Sequence, residues 1–395
     1  MPEQETLPLN YSYLIGVYLA INAIPDAFLF VDGPDCCSYK AEHIYGKHDL
    51  NSTLLDCTCP NRIQSSIVDV TEIVRDRTPE LERVLRDIDS IPASSAVIYT
   101  SMPMATITGT QYDTIIRGLQ PPLEKPFISV PPFSLKGDWL DGYAQTLKSI
   151  ATDIPLDPRG PEKDPGNEKV AVVGHAMDRT ERDHAANVLE IERLLRGLGL
   201  DPVSVWLSGR PIHHLAAAGR ASTVISLPHA REAARILAKR TGADLVETGI
   251  PLGIESTCDW IRTVASATGR EKRADKFMDA ELGDLIPRVQ WLIQRVFLGA
   301  SVFFFGDPYL VGPLYRFLRE LGCNPVAMVG MGGENHLSPL PREIVRDGVP
   351  CLANVKQYTL LHTFQETERR RPVDLVISND MGSRMLPDLV RNAVM

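Results

Sequence analysis

From residue 169 onward the chain alternates short β-rich runs with helix-patterned stretches, and nothing else in the sequence restricts the fold as strongly. A β-run, a helix and a second β-run in that order pair as parallel strands with the helix crossing one face, so the expected class is α/β. Residues 169–173 (KVAVV) read as a buried strand, and 184–198 as a helix with Val188, Ile191, Leu195 and Leu198 on one face, stopped by Gly199. Runs 202–207, 223–227 and 244–247 are further strands, with 230–241 a helix between the last two. A second cycle opens at 301–305 (SVFFF), continues through a helix at 310–321 and returns at 325–329, and 374–378 (DLVIS) is a closing strand. The two cycles share a cassette, LLRGLGLDPVSV at 194–205 and FLRELGCNPVAM at 317–328, which either duplication or the shared local physics of doubly wound folds produces. Runs 27–31 and 96–100 are strands of an earlier unit, the Pro- and charge-rich 157–168 is a linker, and 279–297 is helix-patterned. The expected architecture is three Rossmann-like parallel-sheet units, 1–156, 157–290 and 291–395, around a central cleft.

Composition excludes several functions. With 395 residues, 44% hydrophobic and 23% charged, the chain has ample material for a core and is far from the composition of a disordered protein. Lys plus Arg number 41 against 50 acidic residues, a net charge of −9, with no basic stripe, so nucleic acid is not an expected partner. The apolar stretch 11–24 is too short to span a bilayer and lacks the flanks of a signal peptide, which predicts a cytoplasmic protein without membrane contact. Neither G-x-G-x-x-G nor G-x-x-x-x-G-K-[ST] occurs, so no nucleotide is expected on this chain, and Gly330, Gly332 and Gly333 read as turn residues. Without G-x-S-x-G or H-E-x-x-H, a hydrolase has no support.

The cysteines are the most informative chemistry. Four of the seven, Cys36, Cys37, Cys57 and Cys59, are crowded together, whereas Cys258, Cys323 and Cys351 are scattered. In a reducing compartment crowding points to metal ligation or redox chemistry before disulfides. The loop 31–39 (VDGPDCCSY) follows an apolar strand, turns at Gly33-Pro34 and presents two thiols at the strand's end, where open α/β sheets place functional groups. Four thiolates suit an iron–sulfur cluster or zinc, although the spacing fits no usual C-x-x-C zinc pair. Any one of them could also be a small core residue.

Residues 32–37 (DGPDCC) resemble the H-G-P-x-G-C loop of nitrogenase catalytic-component proteins, the superfamily that includes dark-operative protochlorophyllide reductase, chlorophyllide reductase and the nickel-tetrapyrrole reductive cyclase. Further segments resemble the family in family order: 133–147 (FSLKGDWLDGYAQTL), 250–260 (IPLGIESTCDW), 304–323 (FFGDPYLVGPLYRFLRELGC) and 374–381 (DLVISNDM). The resemblance implies a subunit that receives low-potential electrons through an interface cluster, a 4Fe–4S cluster, from a separate ATP-dependent iron protein. It also implies an assembly with an identical or paralogous subunit. Of the family's three thiolate positions only Cys37 is carried over; the other two read Tyr11-Ser12-Tyr13 and Ser101-Met102-Pro103. Cys36 replaces a glycine, and Cys57 and Cys59 have no assigned counterpart, so the expected cluster ligands are Cys36, Cys37, Cys57 and Cys59. The position of the nitrogenase cofactor cysteine falls near 226–229 (SLPH), where there is none, and dinitrogen is therefore not the expected substrate.

The resemblance places a substrate cavity after residues 227, 250 and 329, near His229, Glu255, Cys258 and His336. Reduction by single electrons needs a proton for each, and His229 and Glu255 are the expected donors, His229 first because imidazole titrates near neutrality. The expected function is an oxidoreductase, a nitrogenase-like reductase of an unsaturated small molecule such as a tetrapyrrole. The alternatives are a non-catalytic scaffold that holds a metallocluster or cofactor precursor during assembly, and a zinc-binding protein. The pair His213-His214 and the run Arg369-Arg370-Arg371 read as solvated surface.

Overall fold

The computed structural model describes residues 9–44, 49, 51–55, 60–69, 71, 75–158, 168–175 and 184–378. Its strands form three four-stranded sheets in which every pair is parallel. The first holds β1 (Ala27–Asp32), β2 (Ile63–Ser65), β3 (Ala96–Ser101) and β4 (Phe127–Ser129) in the order β2-β1-β3-β4. The second holds β5 (Glu168–Val173), β6 (Leu200–Val205), β7 (Thr223–Ser226) and β8 (Asp244–Glu247) in the order β6-β5-β7-β8. The third holds β9 (Ser301–Gly306), β10 (Asn324–Gly330), β11 (Cys351–Ala353) and β12 (Leu375–Ser378) in the order β11-β10-β9-β12. This is the expected α/β class with three parallel-sheet units. In each sheet the order reverses beside the first strand, and loops at that point diverge to leave a crevice at the strand C-termini.

The middle strands are apolar because helices cover both faces: β1, β3 and β9 are buried at every residue. Pro202 and Pro325 are compatible with strands for different reasons. β6 is an edge strand, and Pro325 lies where β10 shifts register against β9. Nine residues of the expected linker, 159–167, lie outside the described residues.

The chain divides into two compact units, Ser12–Glu247 and a second one formed by the residues from Thr248 onward with those before Ser12. Within the first, the wholly buried Tyr13–Asn22 helix packs against the Trp139–Asp153 helix through glycines on both sides. A Cβ on Gly16 would fall 1.8 Å from the Trp139 carbonyl oxygen, and one on Gly142 would fall 1.9 Å from that of Tyr13. The Tyr13–Asn22 helix has no glycine stop; instead Arg62 donates to the carbonyls of Ile21, Ile24 and Ala27 at 2.9, 2.8 and 2.9 Å, joining the helix end to β1. The apolar stretch at 11–24 is thus a core helix, and no helix among the described residues is long and apolar enough to cross a membrane.

Candidate functional site

The DGPDCC loop leaves the C-terminal end of β1, where the order of the first sheet reverses. Its anchor is Asp32, 0% exposed and held from three directions. Arg77 donates to both carboxylate oxygens, Nη2 to Oδ1 at 2.8 Å and Nη1 to Oδ2 at 3.1 Å. The Ser66 hydroxyl donates to Oδ1 at 2.6 Å, and the Tyr112 hydroxyl donates to Oδ2. Ser66 Oγ also accepts from the Gly33 amide at 3.0 Å, so one serine ties the anchor to the loop. A buried carboxylate is tolerated only with this degree of pairing. Burial, then the bound carboxylate, raises the Tyr112 phenol's pKa well above its ordinary value.

The register of β1 on β3 sets Asp32 opposite Ser101, and the Met102 amide donates to the Asp32 carbonyl at 2.8 Å. Met102 and Cys37 therefore converge on Gly33: a Cβ there would stand 2.5 Å from Met102 Cγ and 3.1 Å from Cys37 Sγ. Two of the three chain positions that the family resemblance singled out are thus adjacent, with a thioether where a thiolate was sought. Cys36 and Cys37 are the first two residues of the Cys36–His43 helix, and consecutive helix positions diverge by about 100°. Cys36 is exposed and Cys37 buried. Burial, then the neighbouring Cys36, pushes the Cys37 thiol up to about 12, and the Tyr18 hydroxyl donates to the Cys37 carbonyl at 3.0 Å. Cys57 and Cys59 lie outside the described residues.

A second cluster sits at the order reversal of the second sheet. His175 follows β5, His229 follows β7, and His184 opens the His184–Gly197 helix. His175 Nε2 and His184 Nδ1 are 3.3 Å apart, with the rings stacked at 5.0 Å and 28°. Burial, then His184 and His229, holds His175 down to about 3, so its ring is neutral. His229 is 5% exposed, in the Pro228–Ala230 turn. Sequence reasoning named His229 alone; His175 and His184 carried no signal there because their meeting depends on sheet order.

The other residues singled out have structural partners. Gly253, at φ 83°, turns the chain so that the Glu320 carboxylate accepts from the Ile254 and Glu255 amides at 2.7 and 2.7 Å, capping the Ile254–Thr268 helix. Glu255 is exposed in the first turn of that helix, and Cys258 is partly buried in it. His336 Nδ1 lies 3.1 Å from the Tyr309 hydroxyl. Cys323 is buried in the core of the third sheet and donates to the Phe297 carbonyl at 3.3 Å. His214 is not simply solvated, as its sequence context suggested: its Nε2 accepts from the Val205 amide at 3.0 Å, and burial, then Arg210, holds it down to about 4.

The family described as nitrogenase component 1 type oxidoreductase matches residues 12–392. The light-independent protochlorophyllide reductase subunit N of Roseiflexus sp. (strain RS-1) is 24% identical over 364 residues, covering 90% of this chain and 78% of that protein. The nitrogenase molybdenum-iron protein beta chain of Methanococcus maripaludis is 26% identical over 266 residues, 63% of this chain and 56% of that one. A solved structure titled "Nitrogenase Cp1 at pH 6.5" shares the fold with a TM-score of 0.75 at 18% identity, covering 98% of this chain and 85% of the other.

Proposed function

The chain belongs to the nitrogenase component 1 type oxidoreductases, and from that premise we propose that it is a nitrogenase-like reductase subunit that accepts low-potential electrons from an ATP-dependent iron protein and passes them to an unsaturated small molecule, a tetrapyrrole by preference. The likeness to protochlorophyllide reductase subunit N supports that substrate class, and the absence of a cysteine in 226–229 argues against dinitrogen.

The observation that carries the reading is the Cys36-Cys37 pair at the C-terminal end of β1, on a loop fixed by a buried ion pair. Among the described residues the donor set does not fit a three-thiolate contribution, because Ser12 and Met102 offer a hydroxyl and a thioether in the other two places. It fits a two-thiolate contribution, drawn from Cys37, the outward Cys36, Cys57 and Cys59 of the same stretch, to a cluster that a second subunit, identical or paralogous, completes with two of its own. When bound, such a cluster supplies a one-electron entry point. The protein's own part is to hold the loop rigid through Asp32 and to keep the Gly33 face close-packed by Met102 and Cys37.

Anaerobic isolation tests this reading. Iron and sulfide in equal amounts are expected, with Cys37→Ala losing most of the iron while the fold is kept. Full iron retention in that variant removes Cys37 from the site. If the cluster is reduced by an iron protein and ATP but no tetrapyrrole is turned over, the scaffold reading replaces the reductase.

A further inference from the structure

In the unit that begins at Thr248, the Glu271–Leu292 helix has 22 residues, of which only Ala274 and Met278 are buried. It runs on as a wider helical turn, Ile293–Phe297, whose last residue packs against the core of the third sheet. Ala274 and Met278 lie on an apolar stripe that continues at Leu282, Leu285, Val289 and Leu292, with Ile286 on its border, at the three- and four-residue spacing of a helix built to pack. The stripe is covered where it starts, beside the preceding Ile254–Thr268 helix, and open where it continues. Leu285 and Ile286 are 39% and 47% exposed, and Val296, in the turn beyond, is 59% exposed. A contiguous apolar stripe left in water on an otherwise polar helix marks a surface that another element covers.

The charges beside the stripe identify the cover. Glu281, Asp284, Arg288 and Arg295 follow one another along a single flank, both acids before both bases. Asp284 and Arg288 pair within the helix at 2.9 Å with both side chains largely in water, and among the described residues Arg295 has no ionic partner. Such a flank is complementary to itself turned end for end. A two-fold axis level with Pro287 and perpendicular to the helix sets Leu282 against the partner's Leu292 and Leu285 against the partner's Val289, apolar on apolar. The same register lays Glu281 and Asp284 along the partner's Arg288 and Arg295. Two separate patterns, the stripe and the order of the charges, thus select one alignment. A parallel pair would put acid on acid and base on base.

We propose that the Glu271–Leu292 helix is a dimerisation surface whose occupant is a second copy of this chain, packed antiparallel about a two-fold axis near Pro287. The shared seam is about 25 Å long and buries on the order of 1,000 Å² in all, the lower limit for a specific interface, so the association is reversible and in the micromolar range. It needs no iron, includes no residue of the cysteine loop, and does not depend on the electron-transfer reading.

Sedimentation velocity of the chelator-treated full-length protein, from about 1 to 100 µM, tests this. The mass of the wild type should rise with concentration. Leu285→Lys should halve the largest species, whatever else joins the subunits, while circular dichroism shows the fold kept. Charge reversal gives the sharper result. Glu281→Lys/Asp284→Lys and Arg288→Glu/Arg295→Glu should each weaken self-association at least about tenfold, and an equimolar mixture of the two should recover it, because each flank then meets the opposite sign. A wild type that stays monomeric throughout, as it would if another segment of this chain or a different protein covered the stripe, overturns the proposal. So does a Leu285→Lys variant of unchanged mass, or a mixture that associates no better than its two components.

Discussion

Arg77→Met is the sharpest perturbation of the loop that carries the cysteines. Arg77 is 5% exposed and supplies two of the four hydrogen bonds to the fully buried Asp32 carboxylate. Methionine keeps much of the stem's volume, so what is lost is the charge partner, and the carboxylate is left on the Ser66 and Tyr112 hydroxyls. Breaking a buried ion pair from one side costs about 3–5 kcal/mol, and the two surviving hydroxyls place the expected loss near the lower end, about 3 kcal/mol. For a unit the size of Ser12–Glu247 that corresponds to a fall in Tm of about 6–12 °C. Calorimetry of the wild type, Arg77→Met, Asp32→Asn and the double variant gives the coupling between the two side chains. Because each single change strands a buried partner, the double variant should lose less than the sum of the singles, by about 2 kcal/mol. A loss below about 1 kcal/mol in Arg77→Met, or costs that simply add, would refute the claim that this pair fixes the loop.

Three other outcomes are expected. In metal-free protein at pH 8, iodoacetamide should label Cys36 well before Cys37, because a thiol held near pH 12 has a thiolate fraction of only about 10⁻⁴ there; tandem mass spectrometry of the shared peptide reads the order, and equal labelling contradicts the burial of Cys37. His214 takes up a proton in the unfolded chain below its ordinary 6.5 but not in the folded one until about 4, so its contribution is whole above pH 6.5 and lost as pH falls to 4; His214→Gln should flatten that part of a urea-stability profile, and an unchanged slope removes the assignment. Gly16→Ala puts a methyl 1.8 Å from the Trp139 carbonyl oxygen and must force two helices apart, so a Tm loss equivalent to about 3 kcal/mol is expected, and a neutral result would mean that the two helices do not meet at Gly16.

Much of the fold was readable because its signals are local. Apolar runs of four to six residues marked β1, β3, β5, β7 and β9, and helical periodicity marked the His184–Gly197 and Pro308–Glu320 helices with their glycine stops. Among the strands, what escaped was short: β2, β4 and β11 have three residues each, too few for periodicity to register, and they are strands only because a longer neighbour pairs with them; the Thr78–Asp89, Trp139–Asp153, Ile254–Thr268 and Gln357–Arg370 helices also went unread. The helix expected over 279–297 begins earlier, at Glu271, because its first turns are mostly polar and hid the pattern.

By itself the sequence determined the α/β class, the three strand–helix units, the family and the two thiols at a strand end, since each is written within one short stretch of chain. The tertiary structure alone decided what those residues face. Asp32 meets Arg77 and Tyr112 across separations of 45 and 80 residues, Met102 reaches Gly33 through the β1–β3 register, and His175 meets His184 and His229 where the second sheet reverses. Periodicity records which face of an element is buried, but the order in which strands are laid into a sheet chooses the neighbours, and that order is set by the packing of whole elements.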